Sequence, residues 1–223
     1  MIDSAPTRSS RLGALAGPAF AAFFVGSVVV SSPPANHASD ASWTSNYTGH
    51  SHQVQHTATG VFLVLAALSL MTFLTAVWRR IAATSPDISP LPLVAAAAAS
   101  ACIAAGGVLM ASVSASELSD SYPLPSADVL RLANAVGFGL VALGGMWAAG
   151  LAVAVLCYQA RAAGVLGSRL AVFGQVAAAM LVLSLLFLPI IPLLVWAAVV
   201  GVTWLRTRET SKSSHSVAAP ACV

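Results

Sequence analysis

Three closely spaced histidines, His50, His52 and His56, are the residues whose type and spacing could most directly do chemistry. His52 and His56 are four residues apart, so on a helix their imidazoles share one face and can bind one metal ion, with His50 as a third ligand. Imidazole also changes its charge near neutral pH, which would suit a pH sensor. No Cys, Asp or Glu stands close in the sequence to complete a metal site. We therefore keep both roles as hypotheses beside a simpler alternative, that these are solvated histidines of a loop.

Two amide side chains, Asn134 and Gln175, stand within long apolar stretches of the chain. Inside a membrane such side chains either hydrogen-bond between helices or line a polar conduit. The same stretches contain no Lys, Arg, Asp, Glu or His, the residues that carry ions, protons or catalysis within membranes. No nucleophile, phosphate-binding or metalloprotease motif occurs in the sequence either. The sequence thus predicts no enzyme, no catalytic residue and no cofactor.

The composition indicates a membrane protein. Of the 223 residues, 58% are hydrophobic and only 8% are charged, and the mean hydropathy is +0.86. A soluble fold carries roughly 25% charged residues, and a disordered chain carries few apolar ones. The net charge of +3 comes from ten scattered Lys and Arg residues, without the basic tract expected of a nucleic-acid-binding protein. The three cysteines are far apart and predict neither a disulfide framework nor a zinc site.

A helix needs roughly 20 apolar residues to cross the hydrocarbon core of a bilayer. Four stretches meet this length directly, and a fifth, residues 170–205, is too long for one span. Pro189 and Pro192 interrupt it, and two prolines three residues apart break a helix. Small residues at four-residue spacing, such as Gly107 and Ala111, predict closely packed helices. The six predicted spans are residues 12–30, 58–78, 91–115, 132–158, 170–188 and 190–205.

The distribution of basic residues gives the predicted orientation. With six spans and the N-terminus inside, nine of the ten Lys and Arg residues lie in inner segments and only Arg131 lies outside. Basic loops stay in the cytoplasm, so both termini are predicted to be cytoplasmic. The first span could instead be a signal peptide, but its apolar run is long and no small-residue cleavage motif follows. Residues 1–11 then form a cytoplasmic N-terminal segment, and residues 206–223 form a disordered cytoplasmic tail.

Two polar segments connect spans on the predicted outer side. In the first, Asp40 or Ser42 could cap a short helix, on which Trp43 and Tyr47 would share one face and anchor at the lipid headgroups. The histidine cluster follows directly. This segment, residues 31–57, is the longest polar stretch between spans.

The second outer segment, residues 116–131, is acidic. Ser126 is a predicted N-cap, with Asp128 in the first turn of the following helix. We expect Arg131 to pair with Asp128 or Asp120, because it is the lone basic residue on this side. The acidic side chains either solvate the loop or attract cations, and the sequence leaves both open.

Short segments distributed over residues 12–208 form a recognisable pattern. They are Ser39-Asp40-Ala41-Ser42-Trp43 followed by Tyr47, Leu74-Thr75-Ala76-Val77-Trp78-Arg79-Arg80, Gly164-Val165-Leu166, Leu186-Phe187-Leu188-Pro189 and Leu194-Val195-Trp196. This pattern resembles a family of six-span membrane proteins of actinobacteria to which no activity is assigned. The resemblance implies six helices in a bacterial plasma membrane. The family's pattern has no histidines at the positions of the cluster described above, which weighs against the metal hypothesis.

These features together predict an all-α protein, a bundle of six transmembrane helices. Three functions remain open. The first is a non-enzymatic accessory or assembly component of a membrane complex. The second is a small permease for a neutral or apolar compound, which a polar cavity near Asn134 and Gln175 would favour. The third is an outer-face metal or pH sensor. The predicted partners are the lipid bilayer and, for the first function, a larger membrane complex or further copies of the chain; nucleic acid is not expected.

Overall fold

The computed structural model describes residues 8–35, 37–85, 87–118, 123–186 and 188–216, and within these ranges every regular element is a helix. The α-helices are α1 (Arg8–Val30), α2 (Asp40–Thr48), α3 (His50–Ala82), α4 (Leu91–Leu118), α5 (Ala127–Gly139), α6 (Met146–Ala162), α7 (Ser168–Met180) and α8 (Ile191–Ser216). A π-helical segment, Leu140–Gly145, joins α5 to α6. Two 3₁₀ segments, Leu181–Leu186 and Leu188–Ile190, lie between α7 and α8.

Six helical stretches among the described residues are long and apolar enough to cross a membrane. They are Arg11–Val30, His50–Ala82, Leu91–Leu118, Ala127–Ala162, Ser168–Leu186 and Leu188–Arg206. The prediction of an all-α chain with six membrane-length helices is therefore confirmed. The architecture is that of a multi-pass membrane protein.

Two of these helices begin well before their apolar stretches, by five residues or more. The second membrane-length helix starts at His50 rather than at residue 58, and the fourth starts at Ala127 rather than at residue 132. Hydropathy marks only the apolar part of a helix, whereas the helix itself continues through polar residues until a breaker ends it. The histidine cluster is therefore helical rather than part of a loop.

The last helix is longer than the sequence predicts. α8 continues through Ser216, whereas the sequence predicts a disordered tail from residue 206. Neither glycine nor proline occurs between Gly201 and Pro220, so no local breaker stops the helix after its apolar part. Residues 217–223 of the predicted tail lie outside the described residues.

The membrane-length helices form a ring in chain order. α1 packs on α3, α3 on α4, α4 on the continuous α5–α6 helix, α6 on α7 and α7 on α8, and α8 returns to pack on α1. α3 also touches α6 across the ring. Successive membrane-length helices run in opposite directions, so the two ends of the ring carry different connecting segments. We call the end that carries α2 the cap end, and the opposite end, which carries Arg79 and Arg80, the arginine end.

Small residues allow the closest helix contacts, as their spacing predicts. A Cβ atom on Gly107 would lie 2.7 Å from Leu63 Cβ and 3.1 Å from the carbonyl oxygen of Gly60, so α3 and α4 meet at their backbones. A Cβ atom on Gly201 would lie 2.6 Å from Pro18 Cδ. This contact brings α8 against α1 and closes the ring.

Large aromatic side chains fill the ring toward the arginine end. Phe73 and Trp196 are fully buried, with ring centroids 5.6 Å apart in an edge-to-face arrangement. Trp204 lies 6.4 Å from the same Phe73 ring. The indole N–H of Trp196 donates to the carbonyl oxygen of Leu170, 3.1 Å away, which satisfies its one polar group. This half of the bundle is therefore packed.

Near its middle, the bundle departs from regular α-helix on two neighbouring elements. The π-helical segment Leu140–Gly145 faces the 3₁₀ segment Leu181–Leu186, and the buried Ser184 hydroxyl donates to the carbonyl oxygen of Ala142. A π segment inside an α-helix is rare and is found mostly at functional positions. Two glycines, Gly144 and Gly145, lie in the π segment, within the span that the sequence identifies as the richest in glycine.

Candidate binding site at the cap end

The short helix α2 is docked on the bundle by its two aromatic residues. Trp43 and Tyr47 are 1% and 2% exposed, and they pack with Ala127 and Leu130 of α5. They share one face of α2, as the spacing predicts. The prediction that they anchor at lipid headgroups is wrong, because both rings are buried inside the protein.

The N-cap of α2 is neither of the two predicted residues, Asp40 and Ser42. Ser39 is the N-cap, and its hydroxyl accepts a hydrogen bond from the backbone N–H of Ser42 at 3.3 Å. Asp40 is the first helical residue, where a carboxylate favours the positive end of the helix dipole. Ser126 takes the predicted N-cap position of α5, although its side chain makes no capping hydrogen bond.

Arg131 ties α2 to the start of α5. Its Nη1 lies 3.0 Å from Asp128 Oδ1, which confirms the predicted pair, whereas the alternative partner Asp120 lies outside the described residues. Its Nη2 lies 2.6 Å from Asp40 Oδ1 and donates to the carbonyl oxygen of Ala38 at 2.9 Å. The guanidinium therefore joins the two outer segments, a contact that the sequence analysis did not anticipate.

The three histidines lie in different environments on the first two turns of α3. His50 is the first residue of the helix and is exposed, His52 is half-buried, and His56 is 5% exposed. The imidazole of His56 stacks on the ring of Tyr47. Its Nε2 lies 2.6 Å from Asn46 Oδ1. His56 thus holds α2 through a ring contact and a hydrogen bond.

A chain of hydrogen bonds links these histidines to the segment that follows α1. Asn46 Nδ2 donates to the carbonyl oxygen of Ser32 at 3.4 Å, which leaves Oδ1 toward His56. An amide oxygen only accepts, so this hydrogen bond uses the imidazole tautomer that carries its proton on Nε2. The Ser32 hydroxyl donates to Gln55 Oε1 at 2.9 Å, and His52 Nδ1 lies 3.2 Å from the same oxygen. The network therefore fixes Ser32 over the cap end of α3.

The geometry does not favour the metal hypothesis. In the part of the chain that the structure describes, no group of three His, Cys, Asp or Glu side chains is placed to hold a metal ion. The Nε2 atom of His56 is also engaged with Asn46. The metal site predicted from His50, His52 and His56 stays a hypothesis, and the structure assigns His56 a packing role against Tyr47.

A cavity of about 210 Å³ lies beside this network, between α1, α3, α4 and the α5–α6 helix. Its lining residues are Phe24, Ser27, Val28, Ser31, Pro33, Thr59, Leu63, Met110, Asn134, Phe138 and Val141. Ser31 and Pro33 flank Ser32, so the hydrogen-bond network lies at the edge of the cavity. Val141 belongs to the π-helical segment, so the cavity reaches from the cap toward the middle of the bundle.

The polar atoms of the cavity are few and carry no charge. The Ser27 hydroxyl donates to the carbonyl oxygen of Phe24 at 2.7 Å, and the Thr59 hydroxyl donates to that of Gln55 at 2.9 Å. Both hydroxyl oxygens can still accept a hydrogen bond. Asn134 makes no hydrogen bond to any described residue, so its amide can both donate and accept. An apolar wall with a few uncharged polar groups is the usual composition of a small-molecule site.

The two predicted intramembrane amides have different positions. Asn134 lines the cavity, whereas Gln175 lies half-buried on α7 and is not part of its lining, so the cavity adjoins one of the two amides that the permease hypothesis names. Neither bridges two helices by a hydrogen bond within the described residues. Ser27 and Thr59 are not predicted as site residues, because single hydroxyl residues are common in apolar helices and no spacing in the sequence links α1 to α3.

Comparison of the chain with protein families, with curated proteins and with solved structures gave no match. The class of protein is therefore defined by its fold and its candidate site alone. Over the residues that the structure describes, the protein is all-helical, with six membrane-length helices, a docked cap helix and an uncharged cavity beneath it.

Proposed function

We propose that the protein binds a small, uncharged and largely apolar molecule in the cavity at its cap end, as a permease for such a compound would. The observation that carries this proposal is the amide of Asn134 in a cavity whose other walls are mainly apolar. An amide with both of its ends available can recognise one hydroxyl, carbonyl or amide group of a ligand. A charged ligand would leave its charge without a partner there, at a high desolvation cost.

The proposed activity is non-enzymatic binding or passage. The cavity is lined by no acid, base or thiol, and its two buried hydroxyls, those of Ser27 and Thr59, donate to backbone carbonyls of their own helices. Passage would require the half of the ring filled by Phe73 and Trp196 to open. The π-helical segment Leu140–Gly145 adjoins the cavity and is the natural place for such a movement to begin.

Ligand-induced stabilisation of the purified full-length protein tests this proposal. The probes are hexanol, which carries one hydroxyl, and hexane, which carries none. A ligand that binds only the folded state raises the melting temperature, and the shift grows with the logarithm of the ligand concentration above its Kd. We expect hexanol to stabilise the native protein more than hexane, and we expect Asn134→Leu to abolish that preference.

Two further variants separate cavity binding from a general solvent effect. Ser27→Phe places a large ring in the cavity and should remove the shift given by both probes. Val61→Phe adds the same ring on the exposed face of α3, where Val61 is 52% exposed, and should leave the shift intact. An equal hexanol shift in the native protein, Ser27→Phe and Val61→Phe would overturn the proposal.

We also propose that the cap end faces outward from a bacterial plasma membrane and that both termini are cytoplasmic. The support is the arginine end, where Arg11, Arg79, Arg80, Arg161 and Arg169 stand at helix ends or in short connections. In a variant whose other two cysteines are replaced by alanine, Cys222 should resist an impermeant maleimide in intact cells and react after permeabilisation. Labelling in intact cells would reverse the proposed orientation.

The accessory-component hypothesis and the kinship with an actinobacterial family remain predictions. Native mass spectrometry of the protein extracted gently from its own membrane tests the former directly. A stable protein partner would make the accessory role primary, and the cavity would then serve that complex. A monomer or homo-oligomer carrying a small bound molecule would favour the binding proposal.

A further inference from the structure

A second and larger cavity lies at the arginine end, between the first turns of α1 and the last turns of α3. Its volume is about 660 Å³. Its lining residues are Leu12, Gly13, Ala14, Met71, Thr72, Thr75, Ala76, Arg79, Arg80, Ala83 and Trp204. We refer to it as the arginine groove. It shares no residue with the cavity at the cap end.

The groove combines two cationic side chains with an apolar floor. Arg79 and Arg80 stand at its rim, in the last turn of α3. The floor is formed by Leu12 of α1 and by Met71 and Ala76 of α3. Positive charge thus lies next to apolar surface in this groove, which suits a molecule that has an anionic head and a hydrocarbon chain.

Packing holds one of the two arginines in place. The guanidinium carbon of Arg80 lies 3.7 Å from the centroid of the Trp204 ring, a cation–π contact between α3 and α8. This contact holds the Arg80 guanidinium beside the groove, and a planar guanidinium with five N–H donors suits the oxygens of a phosphate. Arg79 is exposed beside it and forms no ion pair with a described carboxylate.

The hydroxyls on the wall extend the polar part of the groove toward its floor. The Thr72 hydroxyl donates to the carbonyl oxygen of Leu68 at 2.8 Å, which leaves its oxygen as an acceptor. Thr75 lies one turn before Arg79, on the same face of α3. A glycerol or ester group below a phosphate would meet this pair of hydroxyls.

We propose that the arginine groove binds an acidic phospholipid, with its phosphate at Arg79 and Arg80 and an acyl chain along Leu12 and Met71. A soluble phosphate would use the rim and leave the apolar floor exposed, whereas a lipid uses both. The groove lies at the end of a membrane-length helix, which would be the headgroup level of a bilayer that the helix crosses. Basic pockets between such helices are typical sites for anionic headgroups.

The test is lipid retention by the full-length protein, measured by native mass spectrometry in a neutral detergent. The probes are phosphatidylglycerol and phosphatidylcholine of equal chain length, each added alone, and inorganic phosphate as a competitor. We expect selective retention of phosphatidylglycerol and no displacement by millimolar phosphate. The double variant Arg79→Gln/Arg80→Gln should weaken retention by roughly 30-fold, as the loss of two juxtamembrane charges implies.

Matched variants separate a defined site from a merely positive surface. Arg161→Gln/Arg169→Gln removes the same charge at the same end of the ring and should leave retention unchanged. Thr75→Phe fills the groove while keeping both arginines, so it should reduce retention even if the double arginine variant fails to fold. Equal losses from both double variants, unchanged retention in Thr75→Phe, or full displacement by phosphate would each overturn the proposal.

Discussion

The imidazole of His56 lies flat against the phenol ring of Tyr47, with ring centroids 4.5 Å apart and ring planes inclined by 6°. The two residues belong to different helices, and their contact fixes α2 on the first turns of α3. The ring of Tyr47 is also nearly parallel to that of Trp43, with ring centroids 6.5 Å apart and ring planes inclined by 15°. His56, which the sequence suggests as a metal ligand, thus packs its ring on Tyr47 and holds α2 at the cap end.

His56→Phe keeps a flat ring against Tyr47 but removes the hydrogen bond to Asn46. A hydrogen bond of this kind contributes about 1 kcal/mol net, so local opening of α2 should become roughly fivefold more frequent. Hydrogen exchange of the backbone amides in residues 40–48 measures that opening. His56→Ala, which removes the ring as well, should raise exchange further.

His50→Ala is the matched control for this comparison. It removes an exposed imidazole from the same helix, so the exchange of α2 should not change. Unchanged exchange in His56→Phe would mean that the bond to Asn46 does not hold the cap.

The ionisation of Tyr47 reports whether the cap is closed. Burial raises the pKa of its phenol above the ordinary value, because the phenolate would lose solvation. The unfolded chain therefore loses this proton first as pH rises. The stability that depends on the neutral phenol is fully present below about pH 10 and is lost as pH rises through the folded pKa.

Ultraviolet absorbance of phenolate, compared between the native protein and Tyr47→Phe, isolates the titration of this residue. The difference curve should have a midpoint above the ordinary tyrosine pKa, and opening of the cap should accompany it. A midpoint at or below the ordinary value would show that Tyr47 is solvated in the membrane-extracted protein.

The sequence predicts the membrane-length helices well because the bilayer imposes one requirement on all of them. Each needs a long apolar run without charges, and such runs are visible in the residues alone. The break at Pro189 is visible for a similar reason, since proline removes a helical hydrogen bond. The helix ends are less predictable, because polar residues such as those from His50 to Thr57 continue a helix without a hydropathy signal.

The candidate site is predicted only in part, because it depends on contacts between distant segments. Asn134 stands out as an amide in an apolar helix. Ser27 and Thr59 become wall residues only when α1 packs on α3, and nothing in the sequence pairs them. The bond between Arg131 and Asp40 joins residues 91 positions apart. Charge counting identifies Arg131 as unusual, but its partner follows from the docking of α2.

Substitution of Arg131 by methionine should release α2 while leaving the six membrane-length helices intact. The change removes the bond to the carbonyl oxygen of Ala38 together with both ion pairs. Asp128→Asn is the milder comparison, because this carboxylate is 90% exposed and an exposed ion pair contributes little. Chymotrypsin cleavage after Trp43 and Tyr47 measures the release, since both rings are buried when the cap is closed.

We expect fast cleavage of Arg131→Met and near-native protection of Asp128→Asn. If Arg131→Met were protected to the same extent as the native protein, aromatic packing alone would hold the cap.

The hydrogen bond from Ser184 to Ala142 should stabilise the bundle at the point where two neighbouring segments depart from regular α-helix. It joins a 3₁₀ segment to a π-helical segment, where the backbone bonds are weaker than in an α-helix, and Ser184 is fully buried. Ser184→Ala should lower the free energy of unfolding by about 0.5–2 kcal/mol, the range for hydrogen bonds between membrane helices. Denaturation by sodium dodecyl sulfate, followed by tryptophan fluorescence, measures this loss. Ser112→Ala is the matched control, because that exposed hydroxyl donates only to Leu109 of its own helix. Equal stability of the two variants would contradict the assigned role of Ser184.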